Sequence, residues 1–156
     1  MTIQEIIAQD KQEYVNKIAY YAEESRTPTI VDENRTFSKK EKRQFRKWLK
    51  QRRKAYTKYF KEWAPYDTCF LYVPLKMILQ DMFEYYKNGI NVYGCPVVEE
   101  NGESVLCDTR RQTLAKALCM MEIAEYTEDY GNYKESQELY VKAFGYIAEH
   151  MREWWD

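Results

Sequence analysis

The chain has 156 residues, 45% of them apolar and 16% aromatic, and its 24 Lys or Arg against 25 Asp or Glu leave a formal net charge of -1. That length suits one domain burying roughly 70% of the surface its unfolded form exposes, and the composition excludes a disordered-type chain. Five Gly and four Pro are too few for a sandwich or barrel of many short strands. The expected class is all-α: a compact bundle of about five helices in a single domain, 1–156, with a small β-hairpin or loop insertion near residues 92–107.

The start "MTIQEIIAQDK" has no basic stretch ahead of an apolar core, which argues against a secretion signal. No run approaches eighteen apolar residues, so the expected setting is the cytoplasm, with no membrane contact. Cysteines at 69, 95, 107 and 119 lack the paired C-x-x-C spacing of a zinc site, and free thiols are expected. No cofactor or metal is expected either.

In chain order, Thr2 and Glu5 form a capping box. They open a helix with apolar positions Ile3, Ile6, Ile7, Tyr14, Ile18 and Tyr21 that ends near Glu24. A connector around Pro28 completes an N-terminal segment, 1–37. Ser38 and Glu41 form a second capping box and open a basic helix that stops before Ala64, because Pro65 disfavours helical geometry in the residue ahead of it. The remainder, 65–156, is acidic, with the insertion at 89–108. Its first helix is capped by Asp67 or Thr68, runs through "CFLYVPLKMILQDMFEYYKNG" and ends at Asn88 and Gly89. Pro74 lies either in its first turn or at a kink, and the periodicity of Phe70, Met77, Asp81 and Tyr85 favours the kink.

Asn101 and Gly102 fit a two-residue turn that sets Val98 opposite Val105 and Glu100 opposite Glu103. Cys95 and Cys107 would then point to opposite faces, which argues against a disulfide. Two helices close the chain, one over about Thr109–Thr127 with Leu114, Leu118, Met121 and Ala124 inward. The other runs from Asn132 to Trp155 with Tyr140, Ala143, Phe144, Ile147, Met151 and Trp154 on one face.

The basic segment "SKKEKRQFRKWLKQRRKAYTKYFKEW", from Ser38 to Trp63, holds twelve Lys or Arg and two Glu. At about 100° per residue, Trp48, Leu49, Tyr56, Tyr59, Phe60 and Trp63 fall within about 60° of Phe45, so the rings form one stripe expected to face the core. Arg52 sits inside that stripe, where a guanidinium must either run its stem over the rings to water or meet a carboxylate; a structural ion pair is expected, the alternative being display in a cleft for an anionic ligand. Lys39, Lys40, Lys42, Arg43, Arg46, Lys47, Lys50, Arg53, Lys54 and Lys58 point outward and repel one another, with only Glu41 and Glu62 inside the segment to relieve them.

Two readings follow. Acidic parts of the same chain could neutralise these cations, or an anionic partner could. Nucleic acid is the commonest such partner, bound through its backbone and with strong dependence on salt. No zinc finger, RNP motif or recognition helix supports sequence-specific readout.

Signals for an enzyme are absent. His150 is the only histidine, no nucleophile has an evident partner, and there is no Gly-rich phosphate loop. Glu122, Glu125 and Glu128 lack the Glu-x-x-His pattern of a helical metal pair and read as a solvated face.

The succession "RQFRKWLKQRR", "WAPYDTCFLYVPLKMILQDMFEYY", "LAKALCMMEIAEYTEDY" and "AFGYIAEHMREWWD" resembles uncharacterised small helical proteins encoded by tailed bacteriophages. The likeness covers roughly residues 45–156 and is strongest at Trp154, Trp155 and Asp156. The resemblance implies a phage product in a bacterial cytoplasm and carries over no site residue. Two functions fit such an origin: a non-enzymatic nucleic-acid-binding protein using the basic helix, or a modulator of host machinery, such as a nucleic-acid-guided defence nuclease, bound through charged surfaces. Exposed Tyr and Trp in excess would favour a homodimer.

Overall fold

A computed structural model of the chain describes residues 1–26, 29–30, 36–62, 69–87, 97–100 and 103–154. The expected features at Trp63 to Thr68, Asn88 and Gly89, Cys95, the Asn101–Gly102 turn, Trp155 and Asp156 lie outside them.

Among the described residues five helices place the protein in the all-α class: α1 (Ile3–Glu24), α2 (Lys39–Phe60), α3 (Cys69–Lys87), α4 (Arg110–Tyr130) and α5 (Tyr133–His150). Both capping boxes form, with Thr2 and Glu5 closing the start of α1 and Ser38 and Glu41 that of α2. At α5 the Asn132 side chain accepts from the backbone N–H groups of Lys134 and Glu135, which satisfies two donors that the first turn leaves orphaned. Helix α3 starts before Pro74 and carries it inside. Short strands β1 (Thr29–Ile30), β2 (Val97–Glu100) and β3 (Glu103–Asp108) also occur. β2 and β3 run antiparallel with Val98 opposite Val105 and Glu100 opposite Glu103, and β1 lies along the other edge of β3.

The chain divides into two compact units, 1–31 with 79–156, and 32–78, and the division falls inside α3. The first unit is organised around α4. One side of this helix meets α1, where the rings of Tyr14 and Tyr126 stand edge to face at 5.8 Å and the Cys119 thiol points at the Ile18 carbonyl at 3.7 Å. The other side meets the chain end, where the Trp154 indole N–H donates to the Thr113 hydroxyl at 2.7 Å. The end of α3 supplies Phe83, edge-on to Tyr20 and Tyr21, and Tyr86, over which the buried Arg110 guanidinium lies at 4.3 Å.

Being flanked twice explains why Leu114, Ala115, Ala117, Leu118, Met121 and Ala124 are all buried. It also corrects the reading of Glu122: that side chain is fully buried and only Glu128 of the three glutamates is exposed. A helix with a single neighbour has a solvated back, but position 122 faces α1.

Further expectations are corrected. Helix α4 runs on to Tyr130. Helix α5 stops at His150, where a 3₁₀ turn over Met151–Glu153 tightens the end and lets Trp154 fold back into the core. Phe144 and Met151 are exposed, because the buried face of α5 centres on Ser136, Ala143 and Ile147. On α1 the apolar start is exposed, with Ile3 at 77%. Tyr130, the last residue of α4, already meets Asp10 and Lys11, so the earlier turns of α1 run past the end of their neighbour.

Leu118→Ala removes side-chain atoms from a fully buried site on both-sided α4 and should cost about 2–5 kcal/mol, read as a lower urea midpoint. The Tyr21 phenol is pushed up to about 12 from 10.0 by burial and by the Glu122 charge. A phenol raised on folding stabilises the fold below its ordinary value and loses that contribution as pH climbs through the raised one. Stability should therefore fall between pH 10 and 12, and Tyr21→Phe should flatten that fall in urea titrations.

Candidate functional site

Helix α2 owes its start to local chemistry. The Glu41 N–H donates to the Ser38 hydroxyl at 3.1 Å and the Ser38 N–H donates to Glu41 Oε2 at 2.8 Å. This cap counters a disfavoured placement, since Lys39 and Lys40 put cations at the positive end of the helix dipole. Lys, Arg, Gln, Leu and Ala supply good helix propensity over the 22 residues.

No residue of α2 is buried. Phe45, Trp48, Leu49, Arg52, Ala55, Tyr56 and Tyr59 are half-buried, in the stripe that their spacing sets, and Phe45 stacks on Trp48 at 5.8 Å. The expected core-facing stripe is thus a partly shielded one. The physical reason is size, because a unit confined to residues 32–78 has too little chain to enclose a helix. Phe60, placed in the stripe from its spacing, is 49% exposed. The Arg52 guanidinium lies over the Tyr56 ring at 5.7 Å.

Lys39, Lys40, Lys42, Arg43, Arg46, Lys47, Lys50, Arg53, Lys54 and Lys58 are all exposed. Among the described residues none of the ten lies within 4.0 Å of a carboxylate. Like-charge neighbours four residues apart (39–43, 42–46, 43–47, 46–50, 50–54 and 54–58) each cost about 0.2–0.5 kcal/mol on a helix surface. Charge divides where packing divides: residues 32–78 hold fourteen Lys or Arg against five Asp or Glu, and the rest of the chain ten against twenty.

Elsewhere among the described residues, several polar groups meet partners within the fold. His150 Nδ1 stands 3.1 Å from Glu153 Oε2 and its ring lies 4.2 Å from that of Tyr146. Burial and the Glu122 charge push the Cys119 thiol up, away from the reactive thiolate. Tyr14 donates to Asp129 at 2.7 Å, and burial with that bond holds its phenol far above the ordinary range. Among the described residues no group of three or more His, Cys, Asp or Glu could hold a metal ion, and no helix is long and apolar enough to cross a membrane. Comparison with protein families, curated proteins and solved structures finds no match to this chain.

Repulsion along α2 makes its stability depend on screening. Amide exchange in α2 should slow as salt rises, and changing Lys42, Arg46, Lys50 and Arg53 to Gln should slow it at low salt and blunt the salt response. Faster exchange in that variant would mean that the four cations make stabilising contacts.

Proposed function

We propose that this chain is a phage-encoded, non-enzymatic protein that works in the bacterial cytoplasm and contacts the backbone of nucleic acid through α2. The observation that carries the reading is the ladder of ten exposed cations with no carboxylate beside any of them among the described residues. Phosphates relieve the mutual repulsion and release condensed counterions as Lys and Arg replace them. The resemblance of residues 45–156 to phage proteins supports the origin.

A second reading has its own support. Outside residues 32–78 the chain carries a net negative charge, and Tyr133, Val141 and Phe144 stand exposed along α5. Apolar side chains in an acidic setting suit a basic protein partner, as an inhibitor of host machinery would require.

Electrophoretic shift of labelled nucleic acid over a salt series tests the first reading. Wild type should bind at low salt with log affinity falling linearly in log salt, and changing Lys42, Arg46, Lys50 and Arg53 to Glu should abolish the shift. If wild type binds no form of nucleic acid at low salt, the first reading fails and the second stands alone.

A further inference from the structure

The ladder on α2 is one-sided. Measured from Phe45 at about 100° per residue, Lys42, Arg46, Lys50 and Arg53 fall between about 60° and 140°, and the other six cations continue to about 220°. The flank from about -40° to -120° carries Glu41, Gln44, Gln51 and Glu62 and no cation. A helix lying in the major groove of a duplex has a phosphate backbone on each side. On this helix seven of the ten cations serve one of them, and only Lys40, Lys47 and Lys58, at about 200–220°, lean toward the other.

Length sharpens the contrast. The 22 residues of α2 form a rod of about 33 Å, and a duplex backbone winds through a full turn in about 34–36 Å. A rod laid along one duplex backbone therefore loses it after a few phosphates. A flexible single strand can be drawn straight along the rod, meeting a cation at each turn of about 5.4 Å.

Phe60 supplies the second element of such a site. It falls at about 60°, on the cation side of the stripe, one heptad beyond Arg53, and the residue is 49% exposed. An exposed aromatic beside a cationic track is what an unpaired base needs, since it can stack there while its phosphates follow the charges.

We infer that the α2 surface is a track for single-stranded nucleic acid, held by phosphates along one flank and by a base stacked on Phe60. The inference rests on the reading of α2 as a nucleic-acid contact and names the form of its ligand. The cation track addresses phosphates and not sugars, so DNA and RNA strands bind alike.

The test is fluorescence anisotropy on the full chain with labelled strands of about fifteen nucleotides, in DNA and RNA, beside the matching DNA duplex. Single strands of both sugars should bind about tenfold or more tighter than duplex. Phe60→Ala should weaken strand binding about tenfold and leave duplex binding unchanged. Adding cations to the bare flank with Gln44→Lys and Gln51→Lys, both exposed, should raise duplex affinity more than strand affinity. Circular dichroism confirms that each variant keeps its helix. Duplex binding as tight as strand binding, or a strong preference for one sugar, overturns the inference and leaves the nucleic-acid reading intact. Absence of binding to every probe overturns both.

Discussion

Like charge crowded on one helix is the constraint from which the rest follows. Twelve cations within residues 38–63 cannot fold into a core without matched carboxylates, because the desolvation cost of each exceeds what an imperfect pair returns. Helix α2 accordingly keeps every one of its residues from full burial, and it holds its shape by a cap and by propensity. Its ten exposed cations have no carboxylate beside them among the described residues, and they gain from any that arrives. Salt then acts on it in two opposed senses, easing the repulsion within α2 and weakening the attraction of a phosphate chain.

The unit built on α4 obeys a different rule. Its stability comes from apolar burial on two sides of one helix, centred on Leu114, Leu118 and Met121. None of the ten ladder cations belongs to it. Substitutions on α2 that share no partner with α4 should therefore add independently to changes in the core, so loss of binding can be separated from loss of folding.

The sequence made local features legible. Both capping boxes and the spans of α1 and α2 depend on residues within a few positions of one another. The cation ladder was equally visible, since exposure of a Lys or Arg is the default. What periodicity could not supply is the number of neighbours a helix has. A wheel names a face, and Glu122 is buried because α4 has two faces covered, while Ile3, Phe144 and Met151 are exposed because nothing described covers theirs. Phe60 was misjudged in the same way: its angle placed it with the rings, and only the structure shows it 49% exposed.

Register shows how the chain handles a helix without a buried residue. No residue of α1 is buried, so apolar packing alone would let it slide along α4. Polar contacts at successive levels prevent this: Arg111 Nε lies 3.4 Å from Glu24 Oε2, the Gln112 side chain donates to the Arg26 carbonyl at 3.4 Å, Tyr14 donates to Asp129, and Tyr130 donates to Asp10. A slip of one turn would break all four, whereas it would exchange one apolar contact for another. These bonds fix α1 antiparallel to α4 with its first turns beyond Tyr130. The exposed isoleucines at the start of α1 are thus a consequence of the register, which the Tyr14–Asp129 and Tyr130–Asp10 hydrogen bonds set together with the Arg111–Glu24 charge contact.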